Sequence, residues 1–360
     1  MLSGGWGVSD ALAAAQAFAR GPHGARLLRP AGRDARGTYA RALRSSLPAE
    51  GDDGPFVASH TEAGRADTRT FLRRALASGV PTIEQPRRRP TLSVRRACYT
   101  VVMFDLDRIG GPGALADLVD EVLGAGELAL HIQRRGAAME KKDDRSPVTE
   151  ADRAVEERLR GYLARRYPDA GFLGEESGAR DGSGLRWIVD PIDGTRAFVR
   201  GIPTWSVLVT LEADAIPAVA IAYMPASEDL FVGFLGGGAR HNGRPCRVST
   251  TAALDDALVG HGAIQQFTEA GRDALLLRLA RETYTQRGFA DFANYRELLL
   301  GRMDAVIDPG VKAYDVGPAA VLVQEAGGRW SDLAGRPTIH GDGFVASNGL
   351  VHEALLALAT

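Results

Sequence analysis

Apolar residues recur at helical spacing from about residue 113 onward. Leu115, Leu118, Val119, Val122 and Leu123 would share one face of a helix, because their separations follow about 3.6 residues per turn. The pattern therefore predicts a helix at the start of this region, with an apolar stripe that packs against a core.

A second helix and a series of strands follow. Thr149-Glu150-Ala151-Asp152 is typical of a helix start, and Val155, Leu159 and Leu163 continue it at helical spacing. Short apolar runs between turn-forming residues predict strands over 171–173, 187–190, 205–211, 218–223, 230–234, 257–260 and 304–307. Later helices are predicted over 272–281 and 292–300, with another beginning near Asp315. The alternation predicts a layered α/β or α+β fold.

The first 112 residues lack such periodicity. They are rich in Arg, Ala, Gly and Pro, and the first lysine of the chain is Lys141. Four interpretations are open: an arginine-rich arm that binds nucleic acid, a transit peptide, a disordered extension, or translation upstream of the true start, with Met103 shortly before the regular pattern. We expect residues 1–112 to be an extension that is disordered or not part of the native protein. Whether residues 1–102 belong to the native protein is left open by the sequence.

The composition mainly excludes certain classes of protein and of binding site. The chain has 360 residues, 43 Lys and Arg against 45 Asp and Glu, and a net charge of −2, which is not typical of a nucleic-acid binder. Cys98 and Cys246 give neither a disulfide framework nor a zinc-finger spacing. No apolar run approaches the roughly 18 residues that span a bilayer. We expect a soluble cytoplasmic protein with neither a membrane nor a nucleic-acid partner.

Two acids stand where the strand over 187–190 ends. Asp190 and Asp193 lie three residues apart in Trp187-Ile188-Val189-Asp190-Pro191-Ile192-Asp193-Gly194-Thr195. Two carboxylates fixed this close together repel each other, so the arrangement favours a bound cation. The sequence therefore predicts a divalent-metal site at this strand end.

Further oxygen ligands occur at the ends of other apolar segments. Glu175 and Glu176 follow a predicted strand, and Asp152 and Asp315 stand at helix starts. Carboxylates without nearby His or Cys favour Mg²⁺ over zinc, and the carbonyl of Ile192 could turn inward as a neutral ligand. The turn at Gly194-Thr195 begins a helical turn whose N–H groups could bind an anion, and the Thr195 hydroxyl could orient a water molecule. Metal and anion sites side by side are typical of phosphoryl chemistry.

Each of these acids also has a structural interpretation. Asp152 and Asp315 could be helix caps, because Asp favours such positions. Glu175 and Glu176 could form a solvated turn, and Asp190-Pro191-Ile192-Asp193-Gly194 could be a tight turn. Their joint occurrence favours the metal site.

Two motifs resemble those of the inositol monophosphatase superfamily. The first is Asp190-Pro191-Ile192-Asp193-Gly194-Thr195, with Trp187 before it and Gly174-Glu175-Glu176-Ser177 upstream. The second is Tyr314-Asp315-Val316 followed by Glu325-Ala326-Gly327-Gly328, where the family often has Trp in place of Tyr314. The resemblance extends from about residue 113 to the C-terminus. It implies an alternating αβαβα layered fold and Mg²⁺-dependent hydrolysis of a small-molecule phosphomonoester, and it suggests a homodimer.

The resemblance also implies roles for individual residues. The implied metal ligands are Glu175, Asp190, the Ile192 carbonyl, Asp193 and Asp315. Thr195 and Asp152 would activate the attacking water, with Glu175 as a further catalytic residue, and Gly194 and Thr195 would bind phosphate. Lys142 matches a basic position of the family, with a solvated surface lysine as the alternative.

Residues 113–238 are thus predicted to form a metal- and phosphate-binding α+β subdomain. Residues 239–360 are predicted to form a C-terminal α/β subdomain that completes the site. The run Gly236-Gly237-Gly238 between them is expected to act as a hinge or bulge.

The segment after Thr195 indicates a branch of the superfamily. Arg196-Ala197-Phe198, followed by Gly201-Ile202-Pro203-Thr204-Trp205, is similar to the histidinol-phosphate phosphatase branch, although the chain departs from that branch at Ala293-Asn294-Tyr295 and at Tyr314. Histidinol phosphate carries an ammonium group, so an acidic pocket would favour it.

Four residues are candidates for binding the substrate: Asp193, Arg196, Asp308 and Asp291. Asp308 lies seven residues before Asp315 and matches a substrate-contact position of the family. The alternatives for Asp308 and Asp291 are a strand-end turn and a buried structural hydrogen bond.

The expected function is hydrolysis of L-histidinol phosphate to L-histidinol and phosphate, in histidine biosynthesis, by attack of metal-activated water. The first alternative is an inositol-1-phosphate phosphatase. The second is a non-catalytic protein of the same fold that binds RNA through its arginine-rich arm.

Overall fold

The computed structural model of the protein describes residues 103–136, 139–141 and 147–359, and in them helices alternate with strands. The α-helices, numbered in chain order, are α1 (Gly111–Arg134), α2 (Glu150–Arg166), α3 (Thr195–Val199), α4 (Ile264–Glu269), α5 (Asp273–Glu282), α6 (Asp291–Leu299), α7 (Ala313–Glu325) and α8 (His352–Ala359). Short 3-10 helices cover Leu106–Ile109 and Leu254–Asp256. The strands are β1 (Met139–Lys141), β2 (Pro147–Thr149), β3 (Gly171–Gly174), β4 (Gly178–Arg180), β5 (Leu185–Asp193), β6 (Ser206–Ala213), β7 (Ile216–Met224), β8 (Asp229–Phe234), β9 (Gly238–His241), β10 (Arg244–Pro245), β11 (Leu258–His261), β12 (Thr285–Arg287), β13 (Ala305–Asp308), β14 (Arg329–Ser331) and β15 (Phe344–Ser347).

The described strands form a large sheet, a smaller sheet and a separate β1–β2 pair. The large sheet has the order β10-β9-β8-β7-β6-β5-β3-β4, and the smaller one has the order β12-β11-β13-β15-β14. In the large sheet β3 and β5 are parallel, with Gly174 opposite Val189. Because parallel strands bring their carboxyl ends to the same end of a sheet, Glu175 is placed beside Asp190.

Helices and sheets stack in five alternating layers. Helices α1 and α2 pack on one face of the large sheet, for example through Leu118, Leu159 and Trp187. We refer to this packed layer as the first core. Helices α6 and α7 fill the space between the two sheets, and helices α4, α5 and α8 cover the outer face of the smaller sheet. This order confirms the expected αβαβα architecture.

The predicted elements agree with the structure to within a few residues, with one informative difference. The strand predicted over 187–190 is β5, which extends from Leu185 to Asp193 and therefore includes both acids. Short elements such as β4, β12 and α4 were not predicted, because they are too short to show a period.

The predicted domain boundaries need correction. Residues 103–112 do not belong to a disordered extension, because Phe104 and Ile109 are buried in the first core and α1 begins at Gly111. Residues 1–102 lie outside the described residues. The run Gly236-Gly237-Gly238 is not a hinge between subdomains: it makes the turn between β8 and β9, which pair within the large sheet. Helix α7 then packs on strands β6, β7 and β8, so both predicted subdomains contribute to the core between the two sheets.

No helix among the described residues has both the length and the apolar composition to cross a membrane.

Candidate active site

The carboxyl end of β5 turns two acids toward the same place. Along a regular strand, residues three positions apart point to opposite faces. The pairing of β5 with β6 shifts here, because Asp190 lies opposite Leu208 whereas Asp193 lies opposite Ser206. The extra residue on β5 is a β-bulge, which re-aims side chains in this way. The bulge therefore explains how one strand supplies both carboxylates to one site.

Asp315, from the first turn of α7, joins these two acids. A carboxylate oxygen from each of Asp190, Asp193 and Asp315 lies within 4.8 Å of the others. Asp190 and Asp193 are buried, with 1% and 7% of their surface exposed, and Asp315 is half-buried. Among the described residues, no Lys or Arg is paired with any of the three. We refer to these three residues as the acid cluster.

The electrostatics of the acid cluster favour a cation. Burial raises the pKa of Asp190 well above its ordinary value, and the negative charges of Glu175, Asp193 and Asp315 raise it further. Burial and the charges of Asp291 and Asp315 likewise raise the pKa of Asp193. Burial is also the main cause that raises the pKa of Asp315 to about 7. Such crowding is costly unless a positive charge compensates for it.

Hydrogen bonds fix the orientation of each carboxylate in the acid cluster. Oδ1 of Asp190 accepts from the N–H of Ile192 at 3.1 Å. Oδ2 of Asp193 accepts from the Ser206 hydroxyl and from the N–H of Phe292, both at 2.8 Å. The N–H of Lys312 donates to Oδ2 of Asp315 at 2.6 Å. The carboxylates are thus oriented by the protein itself. The contributions of Ser206 and Phe292 were not predicted, because both depend on tertiary contacts.

Glu175 lies beside the acid cluster at the end of β3. Its backbone N–H donates to the carbonyl of Val189 at 3.2 Å, which continues the pairing of β3 with β5. Its side chain contacts Asp190 and raises the pKa of that residue. Glu175 and the neighbouring Glu176 are both half-buried and lie in the turn between β3 and β4, so the turn interpretation is compatible with the contact between Glu175 and Asp190.

Asp152 is both a helix cap and a member of the candidate site. As the third residue of α2, it accepts through Oδ2 from the N–H and the hydroxyl of Thr149, at 2.8 and 2.6 Å. Its other oxygen, Oδ1, lies 3.4 Å from the hydroxyl of Thr195. The two interpretations of Asp152 are therefore compatible.

Thr195 links Asp152 to the β5 bulge. Its hydroxyl donates to the carbonyl of Ile192 at 3.1 Å, while the Ile192 side chain is buried in the first core. The Ile192 carbonyl, which is the predicted neutral ligand, therefore faces the Thr195 hydroxyl, while the Ile192 side chain faces the core.

An open cleft of about 890 Å³ gives access to this region. Its lining includes the predicted residues Glu175, Gly194, Thr195, Arg196 and Asp291. The volume suits a small ligand. Gly194 has a left-handed backbone (φ 86°) and immediately precedes α3, and a Cβ at this position would lie 2.7 Å from Oδ2 of Asp291. Only glycine is therefore compatible with both the turn and the contact.

The two candidate acids for substrate binding differ in their surroundings. Asp308 ends β13 and is buried, and its two oxygens accept from the Tyr295 hydroxyl and from the N–H of Gly262. These contacts fit the buried structural interpretation of Asp308. Asp291 instead lines the cleft. Its pKa is raised to about 6, mainly by burial and then by the charge of Asp308, while Arg196 lowers it.

Asp291 is held in an unusual backbone conformation. Ala290 and Asp291 both have positive φ, at 69° and 50°. Left-handed backbone is unfavourable for residues other than glycine, and such strain is concentrated at functional sites. No signal in the sequence indicates this feature, because Ala has no preference for that region. Lys142, the predicted basic position, lies outside the described residues.

The sequence pattern of the inositol monophosphatase family matches residues 115–360. The chain belongs to the inositol monophosphatase family. The histidinol-phosphatase of Mycobacterium tuberculosis is 36% identical over 249 residues, which span 68% of this chain and 94% of that relative. The inositol-1-monophosphatase of Mesorhizobium japonicum is 34% identical over 216 residues, or 58% of this chain and 81% of that relative.

Solved structures of the family share the fold. The extragenic suppressor protein suhB from Bartonella henselae superposes with a TM-score of 0.64 at 27% identity, over 69% of this chain and 98% of that one. The predicted fold and superfamily are thus confirmed. The family and its named relatives also confirm the expected enzyme class, a phosphoric monoester hydrolase.

Proposed function

We propose that this inositol monophosphatase family member hydrolyses L-histidinol phosphate with Mg²⁺ as its cofactor. The observation that carries the chemistry is the acid cluster, in which three carboxylates converge within 4.8 Å without a cationic side chain among the described residues. The observation that favours this substrate is the carboxylate of Asp291 in the cleft wall, together with similarity to a histidinol-phosphatase.

The donor set fits Mg²⁺, because it consists of hard oxygen ligands without sulfur or imidazole. Asp190, Asp193, Asp315, Glu175 and the carbonyl of Ile192 would hold the ion. When bound, Mg²⁺ would stabilise negative charge on the phosphate and lower the pKa of a water molecule.

The remaining site residues would position the reactants. Gly194 and Thr195 would bind the phosphate group at the start of α3. The Thr195 hydroxyl would orient the attacking water, and Asp152, 3.4 Å from that hydroxyl, would accept the proton of the water. As the new oxygen–phosphorus bond forms, the bond from phosphorus to the histidinol oxygen breaks. The leaving oxygen takes a proton from solvent, and phosphate is released.

Substrate selection would depend on charge. Asp291 faces the cleft beside Arg196, so its carboxylate could pair with an ammonium group on the substrate while Arg196 contacts the phosphate side. Asp308 would act through Asp291, because its own oxygens are engaged by Tyr295 and Gly262. A neutral polyol would gain less from the Asp291 carboxylate. The inositol-1-phosphate alternative is supported by similarity to an inositol-1-monophosphatase.

The experiment that tests this proposal compares two substrates under the same Mg²⁺ concentration. We expect kcat/KM for L-histidinol phosphate to exceed that for inositol 1-phosphate by at least about 100-fold, as for a charge pair worth about 3 kcal/mol. Asp291→Asn should reduce the value for histidinol phosphate by about 10- to 100-fold, because it removes the charge pair, and leave that for inositol 1-phosphate nearly unchanged. A higher value for inositol 1-phosphate would contradict the substrate and support the alternative.

Four further expectations accompany the proposal. We expect the protein to be cytoplasmic and to act in histidine biosynthesis, and light scattering should show a homodimer. RNA binding is not expected. A salt-sensitive RNA affinity that disappears on deletion of residues 1–110 would support the non-catalytic alternative.

A further inference from the structure

Glu156 is a buried carboxylate that supports the chain next to the candidate site. It lies on α2, one helical turn after Asp152, and only 2% of its surface is exposed. Its two oxygens accept from two consecutive backbone N–H groups: Oε2 from Glu176 and Oε1 from Ser177, both at 2.8 Å. A carboxylate that accepts two such bonds fixes the backbone between them.

These two N–H groups lie where the sheet ends. The N–H of Glu175 still pairs with the carbonyl of Val189 in β5. Beyond that bond the chain turns into β4. In this turn Glu156 supplies the acceptors for the amides of Glu176 and Ser177. The backbone of Glu175 is therefore fixed on its amino side by β5 and on its carboxyl side by α2.

The local sequence permits this close approach. A Cβ at position 174 would lie 2.5 Å from Oε2 of Glu156 and 2.7 Å from the ring of Phe172. Any residue larger than glycine would push the carboxylate away from the two amides. Gly174 and Glu156 thus form one contact, with each residue required for the other.

We propose that Glu156 is a positioning residue that sets the affinity of the site for Mg²⁺ by fixing the backbone of Glu175. The inference rests on the proposed function, in which Glu175 is a ligand of the ion. Because α2 also carries Asp152, a single helix positions both the proton acceptor and the metal ligand.

The first test replaces Glu156 by Gln in the full-length chain. Glutamine offers one acceptor oxygen, and its NH₂ group would face a backbone N–H, so one of the two bonds is lost. We expect the Mg²⁺ dissociation constant measured by calorimetry to rise about 10- to 100-fold, as for other residues that orient metal ligands. Activity should return at high Mg²⁺ with an unchanged KM for the substrate. Glu157→Gln is the matched control, because Glu157 is the next residue on the same helix and is exposed.

A second variant tests the same contact without changing the carboxylate. Gly174→Ala should weaken Mg²⁺ binding like Glu156→Gln, and it decides the question if Glu156→Gln does not fold. In both variants the amides of Glu176 and Ser177 should exchange hydrogen faster, while Glu157→Gln should match the wild type.

Variants of two proposed metal ligands show whether the role of Glu156 or the proposed function itself is wrong. If Glu175→Gln and Asp193→Asn lose Mg²⁺ binding but Glu156→Gln and Gly174→Ala bind as tightly as the wild type, the role of Glu156 is overturned and the proposed function stands. If Glu175→Gln and Asp193→Asn also bind Mg²⁺ normally, both proposals are overturned.

Discussion

Strands β5 and β6 carry buried carboxylates at both of their ends, in opposite electrostatic settings. At one end Glu212, 1% exposed, lies opposite Arg186 in the strand pairing. It accepts from the Arg186 guanidinium, and its other oxygen contacts the ring of His340 at 2.6 Å. At the other end Asp190 and Asp193 of the acid cluster face other acids and uncharged hydrogen-bond donors.

The difference shows in the acidities of these groups. Burial alone would raise the pKa of Glu212, but hydrogen bonds from His340 and Arg186 outweigh burial and lower the pKa. Burial and neighbouring acids raise the pKa of Asp190 and Asp193 together. The fold therefore supplies a counter-charge at one end of the strand pair, and among the described residues it supplies none at the other end, where we propose the cation site. A stable fold that retains such uncompensated charge indicates a functional site.

The largest effect should come from removing one charge of the acid cluster. Asp193→Asn keeps a side-chain oxygen that can accept a hydrogen bond but removes one negative charge. We expect kcat/KM for Mg²⁺-dependent hydrolysis to fall at least about 10³-fold, because a metal ion contributes several kcal/mol to the transition state. The free energy of unfolding of the metal-free protein should not decrease. Full activity in this variant would refute the mechanism.

The same kind of substitution at the other end should have the opposite outcome. Glu212→Gln removes the charge that pairs with Arg186 and His340, so we expect the free energy of unfolding to fall by about 2 kcal/mol. At a temperature where the variant is folded, kcat/KM should remain within about threefold of the wild type. Urea unfolding and the phosphatase assay provide the two readouts. A large loss of activity without a loss of stability would reverse the comparison.

The stabilising effect of Glu212 should depend on pH in a defined direction. Its pKa is lower in the folded protein than in the unfolded chain, so its contribution is fully present above the unfolded value of about 4.3. That contribution is lost as the pH falls through the folded pKa. The stability difference between the wild type and Glu212→Gln should thus shrink as the pH falls below about pH 4. A difference that grows below about pH 4 would contradict this account.

The sequence predicted the acid cluster well, because its members belong to local motifs. Asp190 and Asp193 share one strand end, and the helix start at Asp315 shows in the periodicity that follows it. The bulge that brings the two β5 acids to one face depends on the pairing with Leu208 and Ser206, which no local pattern reveals. The partners of Glu212 were unpredictable for the same reason, since His340 lies 128 residues away.

Predictions failed where several local structures fit the same residues. Three consecutive glycines suit a hinge or a turn equally well, and only the sheet order shows that 236–238 form a turn within a sheet. The substrate role of Asp308 stays a prediction, and its hydrogen bonds from Tyr295 and Gly262 depend on tertiary contacts that no local pattern reveals. The left-handed backbone at Ala290 is imposed by the surrounding fold and not by its residue type.

The most direct test of the central claim is calorimetric titration of Mg²⁺ into the metal-free full-length protein, with Asp193→Asn and Glu212→Gln measured in parallel. The account predicts saturable binding to the wild type and to Glu212→Gln, with similar dissociation constants, and no measurable binding to Asp193→Asn. Equal Mg²⁺ affinity in the wild type and Asp193→Asn would show that the carboxyl end of β5 is not the cation site.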